Sequence, residues 1–288
     1  MKLMIIGADG QLGSDLVHQF QGKTNLIPLT YEDGDIVDIN VVRSLVNQHH
    51  PDVIINTAAY HQVPKCEDEP IRAFEVNALG ARNLAICAQE AGVKLVHIST
   101  DYVFDGRKQH PYTEEDNPNP LNVYANTKLA GEYFITSHCE DYLIARVSGI
   151  YGKTRSIGKG SNFINTMLKL NREGKAIRVV TDEILTPTYT VEISRQIECM
   201  INHDMKGLFH VTSEGACSWY EFAQEIFNIL KLPVSVEKAK VADFPPTVQR
   251  PHYSVLENKR LKDAELNIMK DWKTSLNEFL TTTEVDSL

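Results

Sequence analysis

The stretch Lys2-Leu-Met-Ile-Ile-Gly7-Ala-Asp-Gly10-Gln-Leu-Gly13 sets the fold of this chain. A short apolar run leads into three glycines spaced three residues apart, and an amphipathic segment follows, so we expect a strand, a tight turn and a helix. Gly7 permits the turn, Gly10 lets backbone amides approach a phosphate, and Gly13 allows the helix to pack closely on the strand. A glycine-rich turn without a ligand is the alternative. The loop indicates a dinucleotide site made by Gly7, Gly10, Gln11, Leu12 and Gly13.

Around this loop, the first half of the chain alternates apolar runs with amphipathic segments, which is the pattern of βαβ units around a parallel sheet. We predict strands at 2–6, 25–29, 53–56, 94–99 and 142–147, and helices at 10–20, 40–50, 71–91 and 123–139. The sequence thus predicts an α/β fold with a Rossmann-type doubly wound parallel sheet. Such sheets bind ligands at the carboxyl ends of their strands.

The texture of the sequence changes after residue 148. Residues 152–162 are rich in glycine and basic side chains, and we predict helices at 163–173, 191–202 and 219–230 and a strand at 176–181. Ser218 and Glu221 form a capping-box pattern at the start of the last of these helices. We therefore divide the chain into a Rossmann domain at 1–148, which binds the dinucleotide, and a smaller, mainly substrate-binding C-terminal domain at 149–288. Later segments are expected to return to the first domain.

The composition narrows the possible partners. The 288 residues are 42% hydrophobic and 23% charged, and the formal net charge of −9 disfavours nucleic acid or an anionic membrane as a partner. No apolar run approaches the roughly 20 residues of a membrane span, and removal of a leader peptide would destroy the first strand. The five cysteines are scattered, without the paired spacing of metal ligands, so we expect reduced thiols, a cytoplasmic location and no metal site.

Two motifs further along indicate proton transfer. Tyr124 and Lys128 share one face of a predicted helix, where the lysine cation is expected to lower the phenol pKa from its usual value of about 10. Thr100 follows the fourth predicted strand, where its hydroxyl can hydrogen-bond a substrate oxygen as charge builds on it. A tyrosine tuned in this way exchanges a proton with an alcohol or carbonyl while a nicotinamide carries the hydride. We assign catalytic roles to Thr100, Tyr124 and Lys128, and expect Tyr124 and Lys128 also to contact the cofactor.

Three polar side chains lie near these motifs in the sequence. Asp101 either caps a local turn or touches a substrate hydroxyl, and both interpretations stay open. His61 and His97 are assigned no role, because a histidine on a strand or loop is more often structural.

The end of the second predicted strand bears on the choice of dinucleotide. Thr30 lacks the carboxylate that would hold the ribose hydroxyls of NAD and repel the 2′-phosphate of NADP, which favours NADP(H). Glu32 and Asp33 are nearby, however, and no basic residue occurs between positions 23 and 43 to hold that phosphate, so NAD(H) stays open. Further cofactor contacts are predicted at Asp35 and Ile36, beside the adenine, and at Ala58, Ala59 and Tyr60, beside the pyrophosphate.

Several stretches together carry a family resemblance that covers nearly the whole chain and is densest from 96 to 132. They are Gly10-Gln-Leu-Gly13, Pro51-Asp-Val-Ile-Ile-Asn56, Glu67-Asp-Glu-Pro70, Ser99-Thr-Asp-Tyr-Val-Phe104, Pro120-Leu-Asn-Val-Tyr-Ala-Asn-Thr-Lys-Leu-Ala-Gly-Glu132, Gly160-Ser-Asn-Phe163, Pro187-Thr188 and Arg250-Pro251. These stretches resemble the dTDP-4-dehydrorhamnose reductase family within the extended short-chain dehydrogenase/reductases.

This resemblance implies an NAD(P)H-dependent oxidoreductase whose nicotinamide delivers hydride to C4 of dTDP-4-dehydro-L-rhamnose. The product would be dTDP-L-rhamnose, used for cell-surface polysaccharide. The resemblance also implies that Tyr124 protonates the new alkoxide and that Thr100 and Asp101 contact the sugar. Asn162 and Arg250 are expected to bind the substrate, and the diphosphate clamp is expected to include Lys153, Arg155 and Lys159.

Two positions depart from the family pattern. The run Arg146-Val-Ser-Gly149-Ile-Tyr151 lacks the family's tryptophan, so an aromatic wall of the sugar pocket is either missing or supplied by Tyr151. Thr30 stands where an aspartate is familiar. Some family members dimerise through a carboxylate-bound Mg²⁺, but Asp15 is the single candidate ligand here, so the sequence does not support Mg²⁺ and leaves monomer and homodimer open.

Two other functions compete with this interpretation. One is a different nucleotide-sugar ketoreductase or an epimerase, and the other is a non-catalytic regulatory subunit that binds a dinucleotide. An epimerase would consume no net NAD(P)H, and a regulatory subunit would have no turnover without its partner protein.

Overall fold

A parallel sheet with helices on both faces forms the centre of the protein. The computed structural model describes residues 1–154, 162–245 and 248–283. Within these ranges the strands are β1 (Lys2–Ile6), β2 (Asn25–Leu29), β3 (Val53–Asn56), β4 (Lys94–Thr100), β5 (Tyr142–Val147), β6 (Ile150–Tyr151), β7 (Ile177–Val180), β8 (Ile184–Leu185), β9 (Thr188–Tyr189), β10 (Gly207–His210), β11 (Cys217–Ser218) and β12 (Val236–Ala239). The α-helices are α1 (Gln11–Phe20), α2 (Ile39–His49), α3 (Val63–Asp68), α4 (Pro70–Phe74), α5 (Ala81–Ala91), α6 (Val123–His138), α7 (Phe163–Arg172), α8 (Thr190–Asn202), α9 (Trp219–Ile229), α10 (Lys259–Asp263) and α11 (Trp272–Thr282).

The central sheet has the strand order β10-β5-β4-β3-β1-β2, and every neighbouring pair is parallel. This confirms the predicted Rossmann-type doubly wound sheet. The strands predicted at 2–6, 25–29, 53–56 and 142–147 are found with the same bounds, and β4 is one residue longer than predicted. That extra residue is Thr100, which therefore lies at the carboxyl end of the strand.

The alternation of β1 divides the core between two layers. Leu3 and Ile5 face one layer and pack with apolar residues of α1 and α8, whereas Met4 and Ile6 face the other and pack with α2 and α5. Both faces are covered, which is why the strand reads as an unbroken apolar run rather than an alternating one. Burial of these faces from water is the main favourable contribution to folding of the sheet.

The helix predicted over 71–91 is interrupted. Residues Glu75–Gly80 form a π-helical stretch between α4 and α5. At this stretch the Asn77 side chain accepts a hydrogen bond from the Tyr60 amide at 2.8 Å and donates to the Thr127 hydroxyl at 2.9 Å. The prediction of one continuous helix was wrong because apolar periodicity does not register one widened turn.

A second core lies in the C-terminal half, among α7, β7, α9 and α11. The predicted capping box at the start of α9 is present, with the Glu221 carboxylate accepting from the Ser218 amide at 2.7 Å. Two later elements join the central layers: β10 pairs with β5, and α8 packs on α1. The boundary at residue 148 itself stays a prediction.

None of the helices in the described part of the chain combines the length and the apolar character needed to cross a lipid bilayer.

Candidate active site

The strand order places a crevice at the carboxyl end of the sheet. From β1 the chain passes to β2 on one side and then to β3 on the other, so the loops that follow β1 and β3 diverge. Ligands of doubly wound sheets bind at such a reversal. A cavity of about 1170 Å³ lies here, above the roughly 300–1,000 Å³ of most small-molecule sites. Outside the predicted basic clamp, the predicted site residues all line this one cavity: Gly7, Gly10, Gln11, Leu12, Gly13, Thr30, Asp35, Ile36, Ala58, Ala59, Tyr60, Thr100, Asp101, Tyr124, Lys128, Asn162 and Arg250.

The glycine loop between β1 and α1 is tightly packed. Gly7 has a φ of +77°, and a Cβ there would lie 2.8 Å from the Thr57 hydroxyl oxygen. A Cβ on Gly13 would lie 2.0 Å from the Gly7 carbonyl oxygen, so only glycine lets α1 start this close to the turn. The open amides at the start of α1 face the cavity, an arrangement that fits a pyrophosphate.

Asp33 and Asp35 follow β2, and the carboxylates of both have partners. The Asp33 carboxylate accepts from the Thr30 amide at 2.7 Å and from the Thr30 hydroxyl at 2.9 Å, and these hydrogen bonds lower the pKa of Asp33. Asp35 pairs with the Arg72 guanidinium at 3.0 Å, and Arg72 also pairs with Glu75 at 3.1 Å. Arg72 lines the cavity. The sequence did not predict a role for Arg72, because this residue lies far along the chain, on α4, and only the fold brings it to β2.

The predicted contacts after β3 are held by polar side chains beneath them. The Ala58 amide donates to the Asn56 side-chain oxygen at 3.1 Å, and the Tyr60 phenol donates to Glu69 at 2.6 Å. The backbone of this segment is thereby fixed along the cavity wall.

Thr100 and Asp101 lie at the carboxyl end of β4. The Asp101 side chain is 3% exposed and accepts hydrogen bonds from Ser148 at 2.9 Å and from Thr100 at 3.2 Å. Burial raises the pKa of Asp101 to about 6, against the lowering effect of these hydrogen bonds and one from Ser254. Thr100 also accepts from the Tyr102 amide at 3.2 Å, which caps a short turn. Asp101 therefore fixes the orientation of the Thr100 hydroxyl from the buried side.

Tyr124 stands beside Thr100 on the first turn of α6. Its phenol is within hydrogen-bonding reach of the Thr100 hydroxyl, and the Tyr102 ring packs edge-on at a centroid distance of 6.1 Å. Burial raises the pKa of Tyr124 above its ordinary value, the Thr100 hydrogen bond opposes this, and the Asp101 carboxyl adds to it. The expectation that Lys128 would lower this pKa was wrong for this geometry, because burial dominates.

Lys128 is one turn along α6 and 2% exposed. Its ammonium nitrogen donates to the Ile98 carbonyl oxygen at 2.6 Å and lies 3.1 Å from Nε2 of His97. Burial lowers the pKa of Lys128 to about 8, an effect that the Glu132 carboxylate partly offsets. The lysine is therefore close to its titration point at neutral pH.

The other side of the cavity is formed by the C-terminal half. Arg250 lines it, and the Arg250 Nε has no hydrogen-bond partner among the described residues although it is buried. Burial raises the pKa of the nearby Glu183, and the charge of Arg250 opposes that rise. Trp219, within hydrogen-bonding reach of Glu183, packs against Phe163 at a ring centroid distance of 4.6 Å. Glu183 and Trp219 were not predicted, since neither belongs to a recognisable motif.

The predicted basic clamp is found only in part. Asn162 caps α7, accepting from the Asn165 amide at 2.9 Å and donating to the Gly152 carbonyl oxygen at 3.1 Å. Lys153 donates to the Thr282 carbonyl oxygen at 3.3 Å and does not line the cavity. Arg155 and Lys159 lie outside the described residues.

Gly149 explains the missing tryptophan. Its φ is +51°, which strains any residue with a side chain, and a Cβ there would also lie 2.7 Å from Cδ1 of Leu185. The Tyr151 ring is 1% exposed and stacks on Tyr189 at a centroid distance of 5.7 Å inside the second core. Tyr151, Trp219 and Phe163 all line the cavity.

Asp15 accepts a hydrogen bond from the Thr190 hydroxyl, and burial raises the pKa of its carboxyl. Among the described residues, no group of three or more His, Cys, Asp or Glu side chains is arranged to hold a metal ion.

The fold and its crevice define an α/β protein of the Rossmann class with a second lobe over the carboxyl edge of the sheet. The chain belongs to the family described as RmlD substrate binding domain, whose model matches residues 1–285.

Individual relatives cover almost all of the chain. It is 36% identical to the spore coat polysaccharide biosynthesis protein SpsK of Bacillus subtilis, over 97% of this chain and 96% of that protein. A solved dTDP-4-dehydrorhamnose reductase from Clostridium acetobutylicum is 40% identical with a TM-score of 0.93, covering 98% of this chain and 99% of the other. A reductase of the same name from Bacillus anthracis, solved in complex with NADP, is 37% identical with a TM-score of 0.94 and the same coverage.

Proposed function

We propose that the protein reduces the C4 ketone of dTDP-4-dehydro-L-rhamnose to dTDP-L-rhamnose with NADPH, the last step of dTDP-rhamnose synthesis for cell-surface polysaccharide. The observation that carries this proposal is one cavity shared by the glycine loop, the Thr100–Tyr124–Lys128 group and Arg250, whose Nε has no partner among the described residues. Relatives named as this reductase, matched along almost their whole length, support the choice of substrate.

The cofactor side of the cavity fits a nicotinamide dinucleotide. The first turn of α1 presents the backbone amides of Gln11, Leu12 and Gly13 to the pyrophosphate, and the carboxyl ends of β2 and β3 flank the adenosine. Lys128 lines the cavity one helical turn from Tyr124, where it holds the nicotinamide ribose. When bound, the nicotinamide supplies the hydride that adds to C4 of the sugar.

Tyr124 supplies the proton. A phenol with a raised pKa stays protonated at neutral pH, so Tyr124 has a proton to give to the oxygen that becomes an alkoxide as C4 is reduced. Thr100 lies beside the phenol, and without substrate its hydroxyl donates to Asp101. When substrate is bound, that single hydrogen turns to the substrate oxygen and steadies the charge that develops there.

Arg250 binds the diphosphate of the substrate. Its buried Nε has no partner in the described part of the chain, and a guanidinium matches phosphate oxygens in a two-bonded geometry. Glu183 and the Trp219 face lie beside it, where the sugar hydroxyls and the apolar face of the ring would contact them. Asn162 supports this wall as the cap of α7.

NADPH is the preferred cofactor in this proposal. Of the three carboxylates that follow β2, Asp33 is held by Thr30 and Asp35 by Arg72, and Glu32 does not line the cavity, so none is placed to hold the ribose hydroxyls. Arg72 lines the cavity and offers the positive charge that a 2′-phosphate needs. The NADP complex of the Bacillus anthracis relative is consistent with this choice.

The test is oxidation of NADPH and NADH by the purified protein with enzymatically prepared dTDP-4-dehydro-L-rhamnose, followed by identification of the sugar product. We expect stoichiometric NADPH oxidation and dTDP-L-rhamnose. Product formation without net cofactor consumption would point to an epimerase. Binding of both cofactors with no turnover on any nucleotide keto-sugar would contradict the proposal and favour a regulatory subunit.

A further inference from the structure

A row of buried polar side chains lies behind the Tyr124–Lys128 pair. Asn56 on β3 and His97 on β4 are register neighbours, and both are 1% exposed. Nδ2 of Asn56 lies 3.0 Å from Nδ1 of His97, and Nε2 of His97 lies 3.1 Å from Nζ of Lys128. The histidine therefore joins the catalytic helix to the interior of the sheet, and buried polar groups of this kind need a matched donor and acceptor at every contact.

The hydrogens in this row can be placed by counting. The Ala58 amide donates to Oδ1 of Asn56 at 3.1 Å, which turns Nδ2, a donor, toward Nδ1 of His97. Burial holds the pKa of His97 well below its ordinary value, and a charged Lys128 lowers it further, so the ring is neutral in either state of Lys128 and carries one hydrogen. Since Nδ1 accepts, that hydrogen is on Nε2 and points at Nζ of Lys128.

A hydrogen bond from Nε2 needs a lone pair on the lysine nitrogen, which only the uncharged amine has. The amine still has a hydrogen for the Ile98 carbonyl oxygen, 2.6 Å away, and a second for the cavity. Adding a proton to Lys128 would oblige the ring to move its own hydrogen to Nδ1, against the Nδ2 donor of Asn56. The charged and uncharged forms of Lys128 are thus tied to opposite tautomers of His97.

We propose that His97, held in place by Asn56, is a positioning residue that sets the protonation state of Lys128 through its own tautomer. This inference rests on the proposed function, in which Tyr124 gives up its proton at each reduction, and it adds a step in which Lys128 returns that proton through the cavity. In that step the phenolate of Tyr124 gains the proton, the ammonium of Lys128 becomes an amine, and the amine is stabilised by the Nε2 hydrogen of His97. Water restores the proton to Lys128 before the next turnover.

The other ionisable groups around the pair do not replace this role. Glu132 acts on Lys128 from the same helix, but its carboxylate is held by Arg146 of β5 at 2.6 and 2.9 Å and by the Ser99 hydroxyl of β4. Asp101, after β4, and Cys66, on α3, act on Tyr124. Among the described groups that face Lys128, His97 is the one whose ring hydrogen must change position when Lys128 gains or loses its charge.

The test is the tautomer of His97, followed by nuclear magnetic resonance of the ring nitrogens in isotope-labelled protein, without substrate. The His97 signals are assigned by their loss in His97→Gln. Because the pKa of Lys128 is about 8, we expect the Nε2–H tautomer above that pH and the Nδ1–H tautomer below it. A single tautomer from about pH 6 to about pH 10 would overturn the proposal.

His210 is the matched internal control. It lies on β10 of the same sheet, is fully buried, and its Nδ1 is 3.1 Å from the carbonyl oxygens of both Tyr112 and Glu257. These two acceptors hold the hydrogen on Nδ1, and burial lowers the pKa of His210 to about 3. Its tautomer should therefore stay constant over the range in which that of His97 changes.

Two variants extend the test to catalysis. In His97→Gln the amide can turn its oxygen toward an ammonium, so the pH at which kcat falls should rise by about one unit, a tenfold change in the protonation ratio. In His97→Leu neither a donor nor an acceptor remains, and that pH should not rise. An equal change of this pH in both variants would indicate a merely structural role for His97. Thermal unfolding and NADPH affinity show whether each variant is folded.

The outcomes separate this inference from the proposed function. If the unaltered protein shows the tautomer change but has no ketoreductase activity, the proposed function fails and the His97–Lys128 linkage stands. If activity is normal and the tautomer is constant, only the linkage fails.

Discussion

At Tyr124, burial and hydrogen bonding act on one phenol in opposite directions, and burial has the larger effect. The side chain that was expected to oppose burial, Lys128, is one turn away on the same helix. Its Nζ is turned into the sheet, however, toward Ile98 and His97. A spacing of four residues guarantees a shared helix face but not that two charged ends meet. The Tyr124 phenol is therefore protonated at neutral pH.

Tyr124→Phe removes this donor while keeping the ring and its packing on Tyr102. We expect kcat to fall by about a hundredfold or more, the range of general acid catalysis, with little change in NADPH affinity. Steady-state NADPH oxidation and a fluorescence titration of the cofactor measure the two quantities. Tyr133→Phe, at an exposed position of the same helix, is the control and should behave as the unaltered protein. Near-normal turnover in Tyr124→Phe would contradict the proposed proton donor.

Arg72 supplies, near the end of β2, the basic side chain that the neighbouring sequence lacks. It pairs with Asp35, 37 residues away along the chain, and lines the adenosine end of the cavity. Its side chain is about one-third exposed, so the existing ion pairs are too weak to prevent it from meeting a phosphate.

Arg72→Ala should raise the KM for NADPH by about tenfold and leave the KM for NADH nearly unchanged, since a hydrogen bond to a charged group contributes about 1.5–3 kcal/mol. Steady-state kinetics with each cofactor measure the ratio. Arg43→Ala is the control, because Arg43 pairs with Glu90 and does not line the cavity. A parallel rise for both cofactors would argue that Arg72 only supports the local structure.

The position of α6 depends on the π-helical stretch Glu75–Gly80 that packs against it. A Cβ on Gly131 would lie 2.4 Å from the Asn77 carbonyl oxygen of the π-helical stretch. Asn77 in turn holds Tyr60 on the cavity wall and Thr127 on α6. The position of the catalytic helix is therefore set by backbone-to-backbone contact at a glycine.

Gly131→Ala should push α6 away from this stretch. We expect a loss of about 1–3 kcal/mol in the free energy of unfolding, as for overpacked cores, and a lower kcat because Tyr124 and Lys128 move with the helix. Thermal or denaturant unfolding and NADPH oxidation measure the two effects. Thr136→Ala, at an exposed site of α6, is the control. A more stable Gly131→Ala protein would show that the contact relaxes without cost.

At the scale of the whole molecule, the two halves of the chain share one sheet. β10 covers the edge of β5, and α8 covers the apolar face of α1 at Leu16 and Phe20. The second core, by contrast, is built from the C-terminal half alone. Residues 149–288 are therefore more than a substrate-binding lobe, because part of them completes the first layer.

The fragment 1–148 should not fold on its own, because it leaves the β5 edge unpaired and the α1 face exposed. Circular dichroism and size-exclusion chromatography should show an unfolded or aggregated chain, while co-expression with 149–288 should restore a folded complex. Cooperative thermal unfolding of the isolated fragment would contradict this expectation and support an independent domain that ends at residue 148.

The sequence alone predicted the strands of the first half of the chain and the region of the candidate site. Strong local patterns predicted the first five strands almost to the residue, because an apolar run followed by a helix-breaking junction has few other structures open to it. The glycine loop and the Tyr124–Lys128 motif likewise indicated the cavity in which they now lie together. These features depend on neighbours within a few residues, which is why a single sequence is enough.

The tertiary structure decided what depends on distant partners. It added the short strand β10 to the sheet, brought Arg72 to Asp35 and turned Lys128 toward His97. None of these is visible in a local pattern, because each depends on which residues from far along the chain fill the same space. The direction of the pKa changes at Tyr124 and Lys128 follows from burial, and burial is a property of the packed molecule rather than of any motif.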